Sequence, residues 1–247
     1  MIPLKDDTPV ERTPFVTVAL IAANVLAFLW QIGAPDLPAV AASGADVLGF
    51  AQRHLSDTVL RGGAIPYEIL TFTDIWPPDF VPPPLTILTS MFLHGGVLHV
   101  ASNMLFLWVF GNNVEDALGR VRFLGFYLAA GIAAALAQTV ASAASGDVYV
   151  PMVGASGAIA GVLAAYAVLF PRARVLTAVI IFVFIRLVPV PATFFIGVWF
   201  VLQLVSVFIG GSPGVAVVAH VGGFVTGWLL VRILGRRPTW RARRVYW

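Results

Sequence analysis

The chain contains no cysteine among its 247 residues, which excludes disulfides, thiolate metal sites and a cysteine nucleophile. Charged residues are also scarce, because Asp, Glu, Lys and Arg together make up only 11% of the sequence. A soluble globular domain carries about 25% charged residues. With 59% hydrophobic residues, the composition instead indicates a membrane protein that crosses the bilayer several times and contains one compact domain.

Long apolar runs predict six membrane-spanning helices. These runs are 14–32, 98–110, 123–141, 156–170, 192–209 and 215–234. A further apolar run, 175–190, contains Arg186 and leads into Pro189-Val-Pro191, which is a poor sequence for a continuous helix. We expect a short interfacial or re-entrant segment there; if it spanned the membrane, there would be seven helices and the C-terminus would change sides. The predicted fold class is therefore an all-α polytopic membrane protein with a six-helix bundle.

The positive charges favour six spans with both termini in the cytoplasm. In this arrangement the side opposite the termini receives only Arg53 and Arg61, both from the long first loop. Such an asymmetry is what the positive-inside rule requires. The basic residues on the side of the termini are Lys5, Arg12, Arg120, Arg122, Arg172, Arg174, Arg232, Arg236, Arg237, Arg241, Arg243 and Arg244.

The chain divides into three predicted regions. They are a cytoplasmic N-terminal segment at 1–13, a membrane domain at 14–234 and a basic cytoplasmic tail at 235–247. The tail is typical of an orientation signal and a contact for anionic lipid. We expect the bilayer as a partner and no nucleic acid, because one short basic tail does not form a binding groove.

The predicted external loop, 33–97, is long, rich in proline and net acidic. Loops of this length are usually functional or disordered, and its scattered aromatic residues indicate contact with the membrane interface. The helix before it could alternatively be a cleaved signal peptide. Against that alternative, Asp6, Asp7 and Glu11 offset the positive charge that the start of a signal peptide needs.

Two of the polar side chains within the predicted membrane helices could act as a nucleophile and a base. Ser156 begins the fourth apolar run, and His220 lies in the sixth. A polar group in hydrocarbon costs on the order of several kcal/mol unless it has a partner or water. Helix packing is the structural alternative for each residue taken alone. Together, a potential nucleophile and a potential base at membrane depth favour intramembrane hydrolysis.

Glycine pairs accompany both residues. Gly157 and Gly161 follow Ser156, and Gly223 and Gly227 begin one turn after His220. Small residues four apart allow two helices to approach closely in a membrane. Because the fourth and sixth helices start on the same side, we expect this contact to bring the hydroxyl and the imidazole within hydrogen-bond reach.

A third polar group lies at the start of the second helix. His99 and Asn103 are four residues apart, so they share a helix face. Both can donate hydrogen bonds to one point, as an oxyanion site requires; a polar packing network is the alternative. With His94 nearby a zinc site is conceivable, but His94 and His99 lack a standard ligand spacing and no carboxylate in the predicted helices completes a site. We therefore expect no metal and no organic cofactor.

Acidic residues that could complete a catalytic triad are missing. After Asp116 the only acid is Asp147, in the predicted loop between helices three and four. A triad needs a carboxylate to orient the histidine. The sequence therefore predicts a Ser-His dyad whose imidazole is held by packing and hydrogen bonding.

Taken together, these segments resemble the rhomboid family of intramembrane serine proteases. The resemblance rests on Met91-Phe-Leu-His94-Gly-Gly-Val-Leu-His99-Val-Ala-Ser-Asn103, Gly154-Ala-Ser156-Gly157 and Ala219-His220-Val-Gly-Gly223-Phe-Val-Thr-Gly227. It implies that Ser156 is the nucleophile and His220 the general base. It also implies that His99, Asn103 and the Ser156 amide form the oxyanion site. Gly154 matches the glycine two before the nucleophile, and His94 matches a structural histidine beside the site.

The resemblance further implies that single-pass membrane proteins are the substrates. By the same analogy, the fifth helix with Trp199 and Phe200 is a lateral gate. Two features depart from the family pattern: Ala160 stands where members often carry an aromatic residue that stacks on the base, and a Trp-Arg pair of the first loop is absent.

The compact form favours a bacterial inner membrane. The alternatives are an inactive rhomboid-like adaptor that binds membrane proteins, which is not an enzyme, and a transporter or channel.

Overall fold

A computed structural model describes residues 1–33, 57–75, 79–181, 184–209 and 216–234. The predicted basic tail at 235–247 lies outside the described residues, as do Arg53 and much of the first loop.

Most of the described chain is helical, as the apolar runs predicted. The helices are α1 (Phe15–Gly33), α2 (Pro66–Thr71), α3 (Thr86–Ser90), α4 (Val97–Leu118), α5 (Arg120–Ser145), α6 (Ser156–Leu169), α7 (Ala192–Phe208) and α8 (Val217–Leu234). A π-helical turn at Leu107–Gly111 carries α4 beyond its predicted end at residue 110. The first loop contains α2, α3 and a helical stretch at 57–62, so it is more structured than its sequence indicated.

The helices differ in whether their length suits a membrane span. Four of them, α1, α4, α5 and α8, are long and apolar enough to cross a bilayer. The other two apolar helices are shorter, with 14 residues in α6 and 17 in α7. At about 1.5 Å per residue, α6 is roughly 21 Å long, shorter than the hydrocarbon core of about 30 Å. Burial explains how so short a helix fits, because α6 is buried almost throughout by its neighbours and exposes little surface to lipid.

A small antiparallel sheet accompanies the helices. It consists of β1 (Ile2–Asp6), β2 (Arg174–Ile181) and β3 (Phe184–Pro191), in the order β1-β2-β3. In the described residues, the segment predicted at 175–190 to be interfacial or re-entrant therefore consists of two paired antiparallel strands, and β2 also pairs with the N-terminal segment. Valine and isoleucine dominate this stretch, and β-branched residues favour strands over helices. The sequence-based prediction included no sheet, because β1 is short and its partner is distant in the chain.

Polar contacts fix the helices where the membrane domain begins. The carboxylate of Glu115, in α4, accepts hydrogen bonds from the backbone N–H groups of Val16 and Thr17 at 3.0 and 2.7 Å. It accepts a third from the Thr17 hydroxyl at 2.8 Å. The first N–H groups of a helix have no acceptor within the helix. Glu115 satisfies two of those of α1 and so joins α1 to α4.

The first loop also supports the chain that leads into α6. Ala64 and Met152 form an isolated antiparallel bridge, with backbone hydrogen bonds of 2.9 and 3.0 Å in the two directions. The N–H of Gly154 donates to the carbonyl of Ser90, at the end of α3, at 2.8 Å. These bonds fix the backbone just before Ser156.

Candidate active site

A serine and a histidine meet where α6 and α8 begin. Ser156 is the first residue of α6, and His220 is the fourth residue of α8. The Oγ atom of Ser156 lies 2.7 Å from Nε2 of His220, which is hydrogen-bond distance. Both side chains are half-buried, so the pair lies at the edge of the helix bundle and not in its sealed core.

Glycine brings the two helices together. A Cβ atom at Gly223 would overlap the carbonyl group of Gly157, and one at Gly227 would overlap the backbone of Gly161. A Cβ atom at Gly157 itself would lie 2.6 Å from the Cβ atom of Ala134 in α5. The backbones of α6 and α8 are therefore in direct contact over two turns, and α5 packs against α6 beside this contact. This contact sets the depth and spacing at which the serine meets the histidine.

A second helix supports the imidazole from its other edge. The Nδ1 atom of His220 lies 2.9 Å from Oε1 of Gln203 in α7. The ring of Trp199, one turn earlier in α7, lies beside the imidazole with centroids 5.8 Å apart and planes inclined by 43°. Because a carbonyl oxygen only accepts hydrogen bonds, this contact requires the proton on Nδ1. Nε2 is then free to accept the hydrogen of the Ser156 hydroxyl.

The pair His99 and Asn103 converges on the loop before Ser156. A Cβ atom at Gly154 would lie 2.8 Å from Nε2 of His99 and 3.6 Å from Nδ2 of Asn103. Gly154 has a φ of +121°, a conformation that side chains other than glycine rarely adopt. Glycine at 154 is thus required both by its backbone and by the two side chains that reach it.

The hydrogen-bonding atoms of this pair face the same point. The backbone N–H of Gly95 donates to Nδ1 of His99 at 3.4 Å, which favours a neutral ring with its proton on Nε2. Nδ2 of Asn103 is buried and has no hydrogen-bond partner among the described residues. Buried donors without partners are rare in proteins and often mark a site that binds something. Two donors therefore face the loop that carries Ser156.

His94 lies behind this pair and is fully buried. Its backbone N–H donates to Oε1 of Gln31 in α1 at 2.9 Å, and Nε2 of Gln31 donates to its carbonyl at 3.3 Å. Its ring packs edge-on against that of His99, with centroids 5.0 Å apart. Burial, with a smaller contribution from His99, lowers the pKa of His94 to about 4. A neutral His94 therefore supports the ring of His99 without adding charge.

Taken together, the geometry suits acyl transfer. A hydroxyl is hydrogen-bonded to an imidazole, and the backbone N–H of Ser156 lies at a helix N-terminus, where the helix dipole favours negative charge. Donors from α4 complete the surroundings. Within the described ranges, no group of three potential metal ligands of the His, Cys, Asp or Glu type lies together.

The contribution of Gln203 was not predicted from the sequence. The amide lies seventeen residues before His220, on a different helix, and no local spacing connects the two. One sequence signal does mark Gln203: it is a polar residue within an apolar run, as Ser156 and His220 are. Gln138 is a similar case, since its Oε1 atom accepts from the N–H of Ala219 at 3.2 Å and holds the start of α8.

Comparison with known proteins finds a matching family model and several similar proteins. Residues 84–237, more than half of the chain, match the family model of the Rhomboid domain. The chain is 35% identical over 157 residues to "Rhomboid protein 1, mitochondrial" of Saccharomyces cerevisiae, covering 60% of this chain and 41% of the relative. It is 40% identical over 88 residues to the human "Presenilin-associated rhomboid-like protein, mitochondrial", covering 36% and 23%.

A bacterial relative matches as well. The chain is 47% identical over 79 residues to "Rhomboid protease GluP" of Bacillus subtilis, covering 32% of this chain and 14% of the relative. The chain thus spans less than half the length of each of these curated relatives. The match and the apolar helices identify an integral membrane protein. The expectation of a bacterial inner membrane is not supported, because several relatives carry mitochondrial names.

Proposed function

The chain belongs to the rhomboid family, and we propose that it is an intramembrane serine endopeptidase that cuts transmembrane segments of other proteins. The observation that carries the proposal is the 2.7 Å contact between Ser156 Oγ and His220 Nε2. The name of the Bacillus relative, a protease, supports the same reaction class.

The first half of the reaction forms an acyl-enzyme. The Oγ atom of Ser156 attacks the carbonyl carbon of the substrate while its proton moves to Nε2 of His220. Negative charge develops on the carbonyl oxygen, and His99, Asn103 and the Ser156 amide donate hydrogen bonds to it. When the carbon–nitrogen bond breaks, His220 returns the proton to the leaving amine. An ester between Ser156 and the new carboxyl end of the substrate remains.

Water completes the reaction. His220 takes a proton from a water molecule, the hydroxide attacks the ester, and the proton returns to Ser156 Oγ as the second product leaves with a free carboxyl group. Water must therefore reach Ser156. Its half-buried position at the start of α6, and not midway along it, is consistent with such access.

The proposed substrates are single-pass membrane proteins with helix-destabilising residues near the cut. An intact helix hides its carbonyl groups in its own hydrogen bonds, so the segment has to unwind before Ser156 can attack it. We further propose six spans with both termini on one side of the membrane. The N-terminal strand β1 pairs with β2, which follows the far end of α6, so the sheet lies at the end of the bundle opposite the dyad.

A fluorophosphonate probe tests the mechanism directly, because it reacts with a serine that an adjacent base activates. We expect the purified wild-type protein to be labelled and Ser156→Ala to remain unlabelled. Ser145→Ala, at the exposed end of α5, is the matched control and should label like the wild type. An unlabelled wild-type protein that still binds membrane helices would support the inactive adaptor in place of the protease.

A further inference from the structure

We propose that Gln203 is the positioning residue of the general base: its side-chain carbonyl holds the proton of His220 on Nδ1 and so leaves Nε2 able to accept the proton of Ser156. This inference rests on the proposed function, which makes His220 a base. It gives the dyad a third member that is neutral and that comes from α7, a helix without either dyad residue.

The contact decides which tautomer of the histidine is present. Oε1 of Gln203 lies 2.9 Å from Nδ1 of His220, and Nε2 of the same ring lies 2.7 Å from Ser156 Oγ. Without the acceptor on Nδ1, a neutral imidazole can place its proton on either nitrogen. With the proton on Nε2, the ring would donate to Ser156 and could not take its hydrogen. Gln203 removes this unproductive state by accepting from Nδ1.

An amide suits this position better than a carboxylate would. Gln203 is half-buried within an apolar helix, and an ionised side chain at such a depth carries a desolvation cost that a neutral amide largely avoids. A carboxylate would also stabilise the imidazolium and strengthen the base. The amide therefore orients the ring without adding a charge to the pair.

The same helix also places an aromatic side chain beside the ring. Trp199 lies one turn before Gln203, and its ring packs beside His220 with centroids 5.8 Å apart. Phe200 stacks on Phe224, one turn after His220, at 4.1 Å with planes inclined by 21°. The Trp199 contact gives the imidazole an aromatic neighbour that Ala160 does not provide. Trp199 restricts the tilt of the imidazole, and Gln203 fixes its rotation and its proton.

Two substitutions separate positioning from simple packing. Gln203→Met keeps the length of the side chain and removes the acceptor, while Gln203→Glu keeps an acceptor and adds charge. Leu202→Met, on the exposed side of α7, is the matched control. We expect Gln203→Met to lower kcat for a transmembrane reporter about 10- to 100-fold, with KM and thermal stability like those of the control. Gln203→Glu should retain activity at high pH, with the acidic limb of kcat moved to higher pH because the carboxylate stabilises the imidazolium.

Nitrogen NMR of histidine gives a readout that does not depend on proteolysis. The chain has only four histidines, so ¹⁵N-histidine labelling with His220→Ala as the reference assigns the ring of interest. We expect one tautomer, protonated on Nδ1, in the wild type and in Leu202→Met, and a mixture in Gln203→Met. A single unchanged tautomer and an unchanged kcat in Gln203→Met would overturn the proposal. If the tautomer changes as expected but the wild-type protein neither cleaves the reporter nor reacts with a fluorophosphonate, the positioning role stands and the protease function fails.

Discussion

The amide nitrogen of Asn103 faces Gly154, two residues before Ser156, and lies 3.6 Å from where a Cβ atom of residue 154 would be. Within the described part of the chain this buried nitrogen has no hydrogen-bond partner. An unmet donor beside a nucleophile is expected to bind the oxygen that becomes negative during attack. We predict that Asn103→Ala slows cleavage of a transmembrane reporter about 10- to 1000-fold, because one donor is lost while the dyad remains.

The control for this prediction is Asn112→Ala, further along the same helix and remote from the dyad. It should leave the rate unchanged. If instead Asn103→Ala lowered only the thermal stability and not the rate, Asn103 and His99 would form a packing network and not an oxyanion site.

The dyad should behave as one unit. Ser156→Ala removes the nucleophile and His220→Ala removes the base, and after either change the remaining partner has nothing to act with. We predict that each single variant abolishes detectable turnover and that the double variant is at most a few-fold slower than either. Single-turnover assays with all three proteins measure this. Losses that multiplied in the double variant would show that the two residues contribute independently.

The contact between α6 and α8 leaves no room for a side chain at Gly227. We predict that Gly227→Ala lowers the free energy of unfolding by about 1–3 kcal/mol, the usual cost of overpacking. It should also slow the reaction about 100-fold, because separating the helices moves Ser156 from His220. Activity assays and thermal unfolding measure the two effects.

Gly125 in α5 provides the matched control. A Cβ atom there would have nothing within 4 Å, so Gly125→Ala should leave activity intact and stabilise the helix slightly. Equal behaviour of the two variants would mean that the α6–α8 contact does not hold the dyad together.

The carboxylate of Glu115 is expected to anchor the first helix. It accepts three hydrogen bonds from Val16 and Thr17 through both of its oxygens, whereas an amide in its place would keep only one acceptor oxygen and no charge. We predict that Glu115→Gln lowers the free energy of unfolding by about 2–3 kcal/mol, since bonds to a charged acceptor are among the stronger ones. Asp116→Asn should cost far less, because the Asp116 carboxylate is more exposed and accepts one bond, from the N–H of Glu11. Thermal unfolding of the two variants should separate them clearly.

The buried carboxyl of Asp6 predicts a dependence of stability on pH. Burial raises the pKa of Asp6 to about 6, although hydrogen bonds from Tyr166 and Thr8 oppose the rise. The folded state binds the Asp6 proton more tightly than the unfolded state does. The protonated carboxyl therefore contributes its full share to the free energy of unfolding below about pH 4, and this contribution is lost as the pH rises through 6. Asp6→Asn should therefore match the wild type near pH 4 and exceed its stability above pH 6, by about 3 kcal/mol. A difference in unfolding free energy between Asp6→Asn and the wild type that stayed constant from pH 4 to pH 8 would contradict this.

The bounds of the helices and the contact between α6 and α8 were predictable from the sequence, because the hydrocarbon core restricts which residues can face it. A segment that faces lipid has to be apolar over most of its length, so the bounds of α1, α5, α7 and α8 follow from the apolar runs within a few residues. The glycine pairs were informative for a related reason, since only glycine permits the backbone contact that the structure has between α6 and α8.

Features that depend on distant partners were not predictable in this way. Strand β2 pairs with residues 2–6, more than 160 positions away, and periodicity within either segment does not reveal the other. Gln203 shows the same limit. A glutamine in an apolar run is equally compatible with a packing contact, a polar side chain that faces lipid and a partner of the catalytic histidine. Only the 2.9 Å distance to His220 distinguishes these three roles.

The buried and half-buried residues of α7 are unevenly distributed along the helix, which bears on the proposed reaction. All the buried residues of α7, namely Ala192, Phe195 and Ile196, lie in its first five positions, whereas Trp199, Phe200 and Gln203 meet α8 further on. A tilt of α7 about its buried end would carry Gln203 away from His220 before the buried end moved. Under the hypothesis that α7 is a lateral gate, the helix that moves aside for an incoming segment also carries the residue that orients the proposed base. We therefore expect Ser156 and His220 to be in their reactive arrangement only while α7 is packed against α8.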